Sequence, residues 1–134
     1  MQADDVRPSR WARVAPWLLA AVLAVAGTLH FAAPAPYERI IPPALPFHRA
    51  LVSASGVAEL VCAAGLATRR TRRLAGWATA ALFVAVFPAN IQMAVDASGS
   101  SAQRLVAWGR LPLQVPLIWW AVRVAQRARG GLRR

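Results

Sequence analysis

The chain has 134 residues, with 16 arginines, no lysine and 5 acidic residues, for a formal net charge of +11. A nucleic-acid module would gather that charge on one solvated face, but 57% of these residues are hydrophobic and the arginines bracket long apolar runs. The pattern excludes a basic soluble domain and nucleic acid as a partner, and is that of a polytopic membrane protein whose solvent is the lipid bilayer.

Residues 1–13 form a basic segment with Arg7, Arg10 and Arg13. Residues 14–33 make a first span whose only ionisable group is His30. Arginines, an apolar run and Phe31-Ala32-Ala33-Pro34-Ala35 also resemble a secretory signal. The run is too long for one and Pro34 and Pro36 crowd the cleavage region, so the segment is expected to remain as a span. Residues 34–49 carry prolines at 34, 36, 42, 43 and 46, which predict a stiff, extended path rather than a helix. Within it Ile40, Ile41, Leu45 and Phe47 are apolar and are expected to fold back as a cap on the outer end of the bundle.

The second span, 50–68, holds one charge, Glu59, and the single Cys62. One cysteine gives neither an intramolecular disulfide nor a Cys-x-x-Cys pair, so Cys62 is expected to be a small packing residue. Arg69, Arg70, Arg72 and Arg73 separate it from the third span, 74–95, which has no charge at all. Pro88 is expected to free the carbonyl of Val84 and bend this helix, leaving Asn90 to bridge toward another. Residues 96–103, rich in Ser and Gly, predict a mobile loop. The fourth span must run over 106–125 to reach the roughly twenty residues that cross a hydrocarbon core of ~30 Å. It carries Arg110 and Arg123 near its ends and Pro112, Gln114 and Pro116 between them, and a basic tail at 126–134 follows.

The expected fold class is therefore an all-α integral membrane four-helix bundle, spanning 14–125. Twelve of the 16 arginines fall in the first segment, the middle loop and the last stretch, which four spans place on one side. The positive-inside rule makes that side cytoplasmic, hence N-in and C-in. Trp11, Trp17, Trp77, Trp119 and Trp120 are expected at the inner interface, and Trp108 and Tyr37 at the outer one. Arginine without lysine beside abundant alanine points to a bacterium, so the expected location is a bacterial inner membrane.

Polar residues inside the spans carry the functional reading. A rise of ~1.5 Å per residue puts His30 and Asn90 about 24 Å above the inner ends of their spans, level with Arg110. Glu59 lies roughly 13 Å below the outer end of its span, and Gln114 one turn deeper than Arg110. These five residues form a candidate outward-facing binding pocket. A charge at mid-membrane costs ~2.5–3.5 kcal/mol, so Glu59 must be protonated, paired or hydrated. Arg110 is its expected partner, directly or through Gln114 or a water, with His30 and Asn90 completing the hydrogen bonds; such a pair also serves simply to hold two helices in register. No nucleophile–base constellation and no metal-ligand spacing is present in the sequence, so autonomous catalysis is not expected.

Several runs carry a family resemblance. His30-Phe31, Ile41-Pro42 with Leu45-Pro46, and Ser55-Gly56-Val57-Ala58-Glu59 resemble the DoxX-like family of small bacterial membrane proteins. Phe87-Pro88-Ala89-Asn90-Ile91-Gln92-Met93 and Arg110-Leu111-Pro112-Leu113-Gln114 continue it in order, over about residues 14–125. The resemblance implies a four-helix membrane bundle. The family takes its name from a subunit associated with thiosulfate:quinone oxidoreduction, and relatives are linked to thiol-stress complexes or to receptor assembly.

Three functions follow as expectations. The first is an accessory or assembly subunit acting on a membrane protein partner or as a homo-oligomer, through small-residue helix surfaces at Ala54, Gly56, Ala58, Ala63, Ala64 and Gly65. The second is a subunit that binds a quinone-like or other small lipophilic molecule in the outer pocket. The third, a minimal transporter or proton path through Glu59, has no inverted repeat behind it and ranks last.

Overall fold

The computed structural model describes residues 9–128, all of whose regular elements are helices. In chain order they are α1 (Arg10–Ala32), α2 (Pro34–Arg39), α3 (His48–Ala67), α4 (Arg72–Ala85), α5 (Phe87–Val95) and α6 (Ser101–Arg127). The ends of the two basic segments, residues 1–8 and 129–134, lie outside the described residues. Taking α4 and α5 together, 4 helices are long and apolar enough to cross a membrane, and the chain is a multi-pass membrane protein. Side chains such as Val61, Leu74, Leu105 and Val115 are 65–75% exposed on the outer surface, a burden that hydrocarbon removes and water would not.

Three expectations about local structure need correction. The stretch from Pro34 begins as a helix, α2, rather than an extended path. Pro34 and Pro36 occupy its first turn, where backbone N–H groups have no intrahelical acceptor, so proline there costs nothing and presets φ. Phe47, expected within the cap, has a left-handed backbone (φ 57°) and a side chain 80% exposed. The fourth helix starts at Ser101 rather than near 106. Ser100 and Gln103 form a capping box: Gln103 N donates to Ser100 Oγ at 3.3 Å, and Ser100 N donates to Gln103 Oε1 at 2.8 Å. The supposed Ser/Gly loop therefore shrinks to the residues before that cap.

The third span breaks at Val86 instead of only bending. Val86 N still donates to Leu82 O at 3.0 Å and Asn90 N to Val86 O at 3.2 Å, so the chain continues in nearly the same direction. Pro88, second in α5, supplies no N–H for the turn before it.

Packing is close where glycines meet neighbours. A Cβ on Gly56 would lie 2.8 Å from His30 Cβ, and one on Gly76 2.8 Å from Ala125 Cβ. Each contact joins the late part of one helix to the early part of another, so α1 with α3, and α4 with α6, run antiparallel. Helix α3 also packs on α4, and α5 on α6. Leu19, Leu23, Leu66 and Thr79 are fully buried between them, and Cys62 belongs to the same core. Thr79 hides its hydroxyl by donating to Ala75 O at 2.7 Å. At one end lie the start of α1, the α3–α4 turn and the finish of α6; at the other lie α2, its following loop and the α5–α6 connection.

Candidate functional site

A cavity of about 490 Å³ occupies the end of the bundle beneath α2. Its walls come from α1, α3, the α4–α5 break and α6, and Tyr37, Ile41 and Leu45 line it on the side of α2 and the following loop. All five sequence-selected residues, His30, Glu59, Asn90, Arg110 and Gln114, line it. Apart from Ser55 and Tyr37 the rest of the lining is apolar, with Val52, Phe83, Leu113 and Leu117 among its walls. A volume of this size, largely apolar with a few converging polar groups, has the character of a small-molecule site.

The polar groups divide by what already satisfies them. Gln114 is 5% exposed and fully engaged: its Oε1 accepts from Asn90 Nδ2 at 3.1 Å, and its Nε2 donates to the carbonyl of Phe83. Phe83 sits in the last turn of α4, whose carbonyls lack intrahelical donors, so Gln114 caps that helix and ties α4, α5 and α6 together. His30 faces Ala26 O with Nδ1 at 2.8 Å. A carbonyl only accepts, so Nδ1 carries the hydrogen. The imidazole also stacks on Tyr37, with ring centroids 3.9 Å apart.

Glu59 is different. It is 8% exposed, and its Oε2 is buried without a hydrogen-bond partner. His30 Nδ1 approaches that oxygen to 3.3 Å, but its hydrogen is directed at Ala26 O. The contact is thus electrostatic proximity without a hydrogen bond. A direct Glu59–Arg110 pair does not form. Arg110 is exposed and its Nη1 reaches Met93 Sδ at 3.5 Å, a weak acceptor, so both residues face one cavity without meeting. Arg110 is exposed and turned to Met93, while Glu59 is buried beside His30, and Gln114 is committed to Asn90 and Phe83.

Tyr37, expected at the outer interface, also forms part of the cavity and covers His30. Its placement depends on α2, which the proline count concealed. The cap is also tied at its far end, where Arg49 Nη1 meets Glu38 Oε1 at 3.2 Å. That pair is open to solvent and adds little to stability.

Half of the small-residue surface of α3 is used within the chain, while Ala54 and Ala64 are exposed. Gly56 packs on α1, Ala63 is buried, and a Cβ on Gly65 would lie 2.7 Å from Ala75 Cβ of α4. No curated protein and no solved structure matches this chain. Residues 19–125 do match a family model, that of a domain of unknown function (DUF8561), and the match takes in every cavity residue named above. The chain belongs to the DUF8561 family.

Proposed function

We propose that this protein is a non-catalytic binding subunit that holds a small lipophilic molecule with a hydrogen-bond-donating head in the cavity beneath α2. The observation that carries this reading is the buried, unpartnered Oε2 of Glu59, a residue that lines a largely apolar cavity. A buried polar atom without a partner costs about 1–3 kcal/mol, and a ligand hydroxyl or N–H recovers it. Arg110 at the rim supplies donors for an oxygen at the other end of the head. A quinol-like ring has that two-ended polarity and an apolar body. The accessory-subunit reading loses weight because Gly56, Ala63 and Gly65 are occupied by α1 and α4.

Native mass spectrometry of protein extracted with its lipids tests the proposal. The wild-type chain should carry a retained small molecule, and Ser55→Phe, which fills the cavity from α3, should release it while the protein stays folded. Equal retention by both proteins would place any bound molecule elsewhere.

The same reading takes the bundle as N-in and C-in, with the cavity opening to the outer face of a bacterial cytoplasmic membrane. The resemblance to DoxX-like proteins, some of which serve redox complexes, fits a subunit of this kind. Arginine placement supports the orientation. In a Cys62→Ala background, Ser98→Cys should react with an impermeant thiol reagent in intact cells, and Gln126→Cys only after permeabilisation. The reverse labelling would put the cavity on the cytoplasmic side.

A further inference from the structure

The opposite end of the bundle holds a second, smaller cavity of about 170 Å³, enclosed by the beginning of α1, the beginning of α4 and the end of α6. We propose that it binds a phosphate group, as the headgroup of an anionic phospholipid in the adjoining leaflet. Arg72, Arg123 and Arg127 line it together with Trp11 and Trp120, and among the described residues none of those lining it is acidic.

Arg72 is already positioned. Its Nε donates to Leu66 O at 2.7 Å and its Nη2 to Ala67 O at 3.2 Å, so two nitrogens cap the end of α3. The guanidinium also lies 5.7 Å from the Trp17 ring centroid. A side chain held this way loses little further freedom when Nη1 meets an anion. Arg123 lies over Trp119, 5.5 Å from its centroid, and comes from the next turn of α6 along with Arg127.

The second observation is a donor. Trp120 Nε1 is buried with no acceptor among the described residues, although indole has only this one polar atom and normally pairs it when buried. Trp11 packs at 5.9 Å on the same ring and fixes it. Three guanidinium groups from two helices and an unsatisfied indole N–H are all donors, with no acceptor side chain among them. Phosphate is their complement: multiply charged, acceptor-only and matched to the arginine fork. The first turn of α1 also contributes its N-terminal dipole at this wall. Basic pockets between spans at the arginine-rich membrane face are where lipid headgroups are held, and the exposed Trp119 and Leu74 nearby offer an apolar surface for acyl chains. Arginines that merely snorkel to an interface do not need a buried indole N–H beside them.

The test uses full-length protein, delipidated in non-ionic detergent and titrated with short-chain phosphatidylglycerol, phosphatidylcholine or inorganic phosphate, with binding counted by native mass spectrometry. Phosphatidylglycerol should bind at one site about tenfold more tightly than phosphatidylcholine. Arg123→Gln with Arg127→Gln should abolish that preference, and Trp120→Phe, which keeps the ring and removes the N–H, should weaken binding several-fold. Arg72 is left alone because it also caps α3. Unfolding curves superimposable on the wild type confirm that Trp120→Phe reports on binding. Equal affinity for the two lipids, or wild-type affinity in Trp120→Phe, overturns the site. Inorganic phosphate binding as tightly as phosphatidylglycerol keeps the phosphate site and overturns its assignment to lipid.

Discussion

Gly56→Val should loosen the α1–α3 seam and cost the protein about 1–3 kcal/mol, the range for side chains forced into a packed interior. The new Cβ would lie 2.8 Å from His30 Cβ and from Phe31 Cε2, and 3.2 Å from Gly27 O. Phe31 is exposed and its ring tip can swing away, but His30 Cβ is fixed to its helix and the carbonyl is backbone. The helices must therefore move apart. Because His30 stands 3.3 Å from Glu59 across the same seam, separation also withdraws one wall of the cavity. Two readouts should change together: a lower midpoint in thermal unfolding in mild detergent, and less retained small molecule. Ala54→Val, on an exposed face of the same helix, controls for the β-branched side chain and should leave both close to wild type. A Gly56→Val protein that melts with the wild type would show that the seam is looser than its geometry indicates.

Much of this arrangement was legible in sequence because the bilayer imposes it. Apolar length alone located the four crossings, and helical rise alone brought His30, Glu59, Asn90, Arg110 and Gln114 to one end of the bundle. Partners were harder to read. Depth arithmetic left Glu59 and Arg110 within reach of each other, but it carries no information about what fills the space between. Gln114 is committed to Phe83 O and Asn90, because the break before Pro88 leaves the end of α4 in need of a donor. Local propensity also misled at Pro34 and Pro36, where five prolines suggested an extended strap. Position within the helix decides proline's effect, and a first turn accepts what an interior rejects. That error hid Tyr37. The Ser100 and Gln103 capping box, in contrast, was present in the sequence as a Ser-x-x-Gln spacing ahead of an apolar run, and it marked the true start of α6.

Glu59→Gln should separate stability from binding. The substitution keeps the shape of the side chain and replaces a carboxyl group whose Oε2 has no hydrogen-bond partner among the described residues, so unfolding should shift little or toward higher stability. Retention of the small molecule should fall several-fold to about tenfold, since a hydrogen bond contributes ~0.5–1.5 kcal/mol and the amide NH2 that replaces one carboxyl oxygen cannot accept from a ligand donor. Arg110→Gln should change stability by no more than about 0.5 kcal/mol, as expected for an exposed side chain whose one polar contact is Met93 Sδ. If the two residues act independently, their double variant should unfold at the sum of the single effects, within about 0.5 kcal/mol. Direct pairing gives the opposite result: each single variant loses about 3–5 kcal/mol by stranding a buried charge, and the double variant recovers much of it. Recovery of that kind would make the two residues a scaffold joining α3 and α6. A Glu59→Gln protein that keeps both its stability and its bound molecule would remove Glu59 from the binding site altogether, and with it the reason for expecting a donor-bearing ligand in the cavity.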